Sequence, residues 1–100
     1  VTLHPAAIAA VFIHHDPDSR GVIFTELAHS CRAAHEAETG EPWPLTFRLF
    51  RAELRAAGFK VSHPRNKIQG KRRTLVVHAS WNDPALAEEA ESARITAETN

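Results

Sequence analysis

Apolar residues recur along the chain at two spacings, and the spacing changes wherever proline or glycine interrupts it. Pro5 opens the first helical stretch, since a proline's missing N–H would have no partner in a first helical turn. Ile8, Val11, Phe12 and His15 share one face there, over the helix-favouring Ala6, Ala7, Ala9 and Ala10. The turn-forming run HDPDSRG, residues 15–21, ends it. Val22, Ile23 and Phe24 form a short apolar run that predicts a small strand. Thr25 and Glu26 start a second helix, with Leu27, Ala28, Cys31 and Ala34 inward, His35 at the edge of that face and Thr39-Gly40 as the stop. After the spacer GEPWP, residues 40–44, Thr46 is the expected N-cap of a third helix. Its apolar face is Phe47, Phe50, Leu54 and Ala57, and Gly58 closes it at a position where positive φ suits glycine.

The period then falls to two. Phe59, Val61 and His63 alternate with Lys60 and Ser62, and RTLVVHA, residues 73–79, is the expected partner strand. PRNKIQGK, residues 64–71, is the turn region between them, with Pro64 and Gly70 as turn formers. Trp81 is expected to cover the edge of the core. Asp83 and Pro84 restart a helix as cap and first residue, with acids near its start. Its apolar face, mostly Ala with Leu86 and Ile95, leaves two outcomes: a packed fourth helix or a frayed end. These elements predict an α+β chain in which a helix leads directly into a hairpin with a cationic tip. That is the second half of a winged helix-turn-helix: three helices and a small antiparallel sheet with a basic wing, over residues 1–83. Residues 84–100 form an acidic C-terminal helix or tail.

Charge sharpens the picture. Between Pro44 and His78 there are nine basic residues and one acid, Glu53, a net of +8. The whole chain has 12 of each sign, so the remainder carries −8. Such segregation is an electrostatic footprint for a polyanion, nucleic acid first. On the third helix Arg48, Arg51 and Arg55 form a stripe roughly 110° from the apolar face, so they point outward while that face buries. Arginine can grip guanine O6 and N7 or clamp phosphate. Lys60, Arg65, Lys67, Lys71, Arg72 and Arg73 are expected on or beside the wing, against phosphates or in a minor groove, with Asn66 and Gln69 able to reach base edges. The opposing reading is a set of solvated arginines paired with Glu53 or the C-terminal acids, where each surface pair contributes a median of about 0–1 kcal/mol.

Other chemistry is weakly signalled. Adjacent His14 and His15 with Asp16 and Asp18 lack a zinc-like ligand spacing, and no cofactor or metal is expected. His29 and His35 read as surface residues or apolar caps, Cys31 as a small core residue, and Trp43 and Trp81 as packing residues. The domain is expected to be non-catalytic. One cysteine excludes an intramolecular disulfide and, with no signal-peptide pattern, suggests a cytoplasmic setting. No apolar run approaches the ~20 residues of a membrane span. A chain that starts at Val1 and contains no Met reads as a domain cut from a longer protein, with a processed product as the alternative.

The strand GVIFTEL, the helix end near ETGEPWPL, the helix TFRLFRAELRAAGFKV and the basic KRRTLVV resemble the C-terminal winged-helix domain of phage- and plasmid-type primase–helicases. Thr46, Phe50, Leu54, Gly58 and Phe59 occupy that family's helix pattern, and the likeness spans about residues 20 to 80. The resemblance implies a replication domain that binds double-stranded DNA behind an ATP-dependent helicase motor whose phosphate loop lies outside this chain. Three alternatives stay open. One is a transcriptional regulator using the same surface, dimerised through the last helix. Another is a protein-interaction module with an acidic partner or its own acidic tail. The last is recognition of single-stranded or forked DNA, which needs an exposed Trp43 or Trp81.

Overall fold

A computed structural model of the chain describes residues 4–62, 67–68, 71–72 and 74–99. Among them are four helices and three small antiparallel sheets, an α+β arrangement. The first helix, α1, spans Pro5–Phe12, and strand β1 follows at once over Ile13–His15. The helix is shorter than the apolar spacing predicts. Residues 13–15 pair antiparallel with β7, Ala79–Trp81, and Asn82 closes the last turn of α1. Its side-chain Nδ2 donates to the Ala10 and Val11 carbonyls, both at 3.0 Å, and its backbone N–H to Phe12 at 2.8 Å. The free carbonyls of a helix end are thus met by a residue about 70 positions away. Val11, expected inside, is exposed, and His15 leaves the helix to stack on Phe59, ring centroids 4.1 Å apart.

Strands Val22–Ile23 (β2), Leu75–Val77 (β6) and Lys60–Ser62 (β3) form a three-stranded sheet with Leu75–Val77 in the centre. Phe24 belongs to the start of α2, Phe24–Thr39, rather than to the strand. The predicted strand over residues 73–79 divides at His78, whose φ of 53° turns the chain from β6 into β7 and a different sheet. Strands β4, Lys67–Ile68, and β5, Lys71–Arg72, pair antiparallel within the segment expected to be only a turn.

Gly21 sits where the chain enters β2, with φ 118°. A Cβ there would lie 2.5 Å from the Val76 carbonyl oxygen and 2.9 Å from Val77 Cα, so β6 would have to move. Gly21→Ala is expected to cost about 2 kcal/mol or more, combining a disfavoured φ with the clash. Urea unfolding checks this, and an unchanged midpoint would mean that β2 and β6 do not pack this closely.

The core gathers Ile13, Val22, Phe24, Leu27, Cys31, Phe50, Leu54, Phe59, Val61 and Val76 from both helices and strands. Trp43, Leu45 and Trp81 are partly buried against it. The last helix, α4, spans Pro84–Thr99 and packs on α2 and β7. Asp83 caps it, its Oδ1 accepting from Ala85 N–H at 2.9 Å. The residues that turn inward on α4 are Ala90 and Arg94, while Ile95 is exposed. Arg94 donates from Nε to Glu26 Oε2 at 2.6 Å and from Nη1 to Glu98 Oε2 at 3.0 Å. The Arg94 and Glu26 side chains are 3% and 8% exposed, so this is a buried ion pair between α4 and α2.

Candidate nucleic-acid interface

The site is built on α3, Phe47–Ala56, and both its ends are set locally. Thr46 Oγ1 accepts from Leu49 N–H at 3.2 Å, satisfying one orphan donor of the first turn. At the other end Gly58 N–H donates to Arg55 O and Phe59 N–H to Leu54 O, both at 3.0 Å, with Gly58 at φ 95°. This 5→2 and 6→1 pair is a Schellman motif, and its two apolar members, Leu54 and Phe59, are both in the core. The motif delivers the chain from α3 straight into β3. On the other side of α3, Trp43 packs its ring edge-on to Phe50 and to His35, anchoring the α2–α3 loop.

Phe50 and Leu54 are fully buried and fix how α3 is rotated. Arg51, nearest them around the helix, is half-buried, while Arg48 and Arg55 are exposed. Lys60 is exposed at the start of β3, beside buried Val61. None of these four cations forms an ion pair with any described residue. Pairing with Glu53 or with the acids of α4 therefore does not account for them. The α4 acids lie on a helix seated against α2 and β7.

Of the expected wing residues, Lys67, Lys71 and Arg72 fall on the paired strands β4 and β5, where Lys67 faces Arg72 in register. Only their backbone is described. Arg65, Asn66, Gln69 and Arg73 lie outside the described residues.

Two expected members of the buried face of α3 lie outside it. Phe47 is 51% exposed, in the first turn, where its ring meets Phe24 only edge-on. Ala57 is exposed because it follows the helix as its C-cap. Leu49, absent from the sequence-based set, is 51% exposed on the outward side with Ala52. Its position about 120° from the Phe50–Leu54 direction was the signal.

The remaining reactive side chains are committed to the fold. Cys31 is fully buried, which pushes its thiol up to about 12 and keeps it protonated. Nδ1–H of His14 donates to Asn82 Oδ1 at 2.6 Å, and Asp16 accepts from Ser80 Oγ at 2.9 Å and from Asp18 N–H at 3.1 Å. Among the described residues, no three His, Cys, Asp or Glu side chains are placed to hold a metal ion. An open groove of about 600 Å³ runs between α2 and α4, lined by small residues with His29, Arg32, Glu36 and Glu89. Burial, and then the charge of Arg32, hold His29 below the ordinary histidine range, so it is neutral at neutral pH. No helix among the described residues is long and apolar enough to cross a membrane.

No protein-family model, curated protein or solved structure matches the chain.

Proposed function

We propose that the chain is a winged helix-turn-helix domain that binds double-stranded DNA, with α3 in the major groove and the β4–β5 segment along the adjacent backbone. The observation that carries this reading is the outward face of α3: Arg48, Arg55 and half-buried Arg51 have no ion-pair partner among the described residues. They also lie in the stretch with nine basic residues and one acid. Surface arginines left unpaired on a rigid helix can displace counterions from a phosphate backbone. The element order gives further support. A strand precedes α2, α2 leads to α3, and β3 and β2 flank β6 in one sheet, as a wing's stem requires. Duplex is favoured over single strands because Trp43 and Trp81 both pack on the core, leaving neither ring as a free stacking platform. A replication setting, behind a helicase motor, rests on the sequence resemblance.

Fluorescence anisotropy with duplex, forked and single-stranded DNA at two salt concentrations tests the reading. Duplex binding should weaken with salt, log K falling by about 0.9 per phosphate contacted for each decade of salt. A flat response on every DNA with the protein folded would overturn it and point to an acidic protein partner.

Glu53 is exposed, is the sole acid of the basic stretch and sits at the margin of the outward face. A carboxylate close to phosphates opposes binding. Glu53→Gln is expected to tighten duplex binding about threefold at low salt, with the gain shrinking as salt rises. Weaker binding by this variant would instead assign Glu53 a direct contact to DNA.

A further inference from the structure

The outward face of α3 is not uniformly charged. Around the helix from the buried Phe50–Leu54 line come Arg51, then Arg55 and Arg48, then Ala52 at the point most distant from the core, then Ala56 and Leu49. The centre of the exposed face is thus small and apolar, the cations occupy one flank, and Leu49 occupies the other with Glu53 at its margin. A contact made only with phosphates would use the cations and leave the half-exposed Leu49 and the two alanines without a partner. In a major groove each component has a partner. Cations on one flank hold one strand's backbone, alanines let the helix approach the groove floor, and an aliphatic side chain meets the one apolar group displayed there. That group is the 5-methyl of thymine.

Building on the DNA-binding reading, we infer that Leu49 is a specificity-determining residue that packs on a thymine methyl group in the major groove, with Ala52 setting the close approach. Thr46 supports this function indirectly, since its cap on Leu49 N–H holds the first turn of α3 in place. The cationic flank supplies affinity for any sequence, and Leu49 supplies preference for a thymine at one step of the site.

The test begins with a pool of random-sequence duplexes, from which the protein enriches its preferred site. Each thymine of the enriched duplex is then replaced singly by deoxyuridine, which pairs identically but lacks the methyl group. Wild type should lose about threefold to fivefold in affinity at one position, the effect of leaving one methyl contact unmade. Leu49→Ala should bind the thymine and deoxyuridine duplexes equally at that position. Leu49 is half-exposed, so the variant should fold, and the wild-type comparison stands without it. Equal wild-type binding to every deoxyuridine duplex, or a Leu49→Ala protein that keeps the sensitivity, overturns the inference and leaves DNA binding intact. Retention of duplex without enrichment of any sequence does the same. Failure to retain any duplex overturns the DNA-binding reading itself.

Discussion

The triple variant Arg48→Ala/Arg51→Ala/Arg55→Ala is expected to bind duplex DNA about a hundredfold more weakly than wild type near physiological salt. The magnitude follows from three charge-assisted contacts at about 1 kcal/mol each, the low end for an arginine on DNA, with 1.4 kcal/mol per factor of ten. If all three contact phosphate, the slope of log K against log salt should also fall by about 2.7. The variant should remain folded, because Arg48 and Arg55 are exposed, Arg51 is half-buried and none is ion-paired to a described residue. Its unfolding free energy should move by little more than the roughly 0.5 kcal/mol typical of surface substitutions. Anisotropy across several duplex sequences separates two roles. Uniform weakening assigns the arginines to the backbone, and weakening confined to a preferred site assigns at least one to a base edge. Unchanged binding by a folded variant would remove α3 from the interface.

Arg94→Ala is expected to cost about 3–5 kcal/mol of stability, a large part of what a domain of this size has. The reason lies less in the strength of the pair than in what its loss leaves behind. Glu26 is 8% exposed in the first turn of α2, and without Arg94 its carboxylate would be buried with its main partner gone. The hydrogen bond that Arg94 donates to Glu26 raises the Arg94 pKa further above an already high value, and the charges of the nearby acids add to it while burial opposes it. Arg94 therefore stays charged at every ordinary pH. For a group whose folded pKa is raised, the linked stability is present below its unfolded pKa and lost only as pH passes the folded one. Arg94 thus introduces no pH dependence in the neutral range. Guanidinium unfolding of Arg94→Ala, of Glu26→Leu and of the pair together checks the argument. The double variant should recover part of the loss, because it leaves no buried carboxylate without its partner, although alanine at position 94 does not refill the space of the arginine. A single-variant loss below about 1 kcal/mol would mean that the pair is solvated in practice.

The same contact bears on any test of self-inhibition. Deleting residues 84–100 removes Arg94 and uncovers the face of α2 on which α4 packs, so loss of binding after truncation would report unfolding as readily as a regulatory role. Neutralising the exposed Glu88, Glu89 and Glu91 as glutamines probes the acidic helix without touching its anchor.

The boundaries of α3 and β3 between Thr46 and Val61 were legible, because they come from contacts within a few positions. The cap of Thr46 on Leu49, the Schellman bonds at Gly58 and Phe59 and the alternation of Lys60 and Val61 all lie inside one short stretch. Charge segregation was equally visible, since it is a property of the linear chain. Asp83 as a cap and Cys31 as a core residue were readable on the same local and compositional grounds. Other features were settled by partners far away along the chain. α1 stops at Phe12 because Asn82 takes its last carbonyls and β7 pairs with the residues that would have extended it. α4 is held by an arginine and a glutamate 68 positions apart, on faces that apolar periodicity does not mark. The exposure of Phe47 and Leu49 depends on where the core ends above the first turn of α3. Short-range hydrogen bonds and backbone preferences act before the chain has a tertiary shape, so their signals are written in consecutive residues. Burial and long-range pairing depend on which surfaces meet, and only the packed domain decides that.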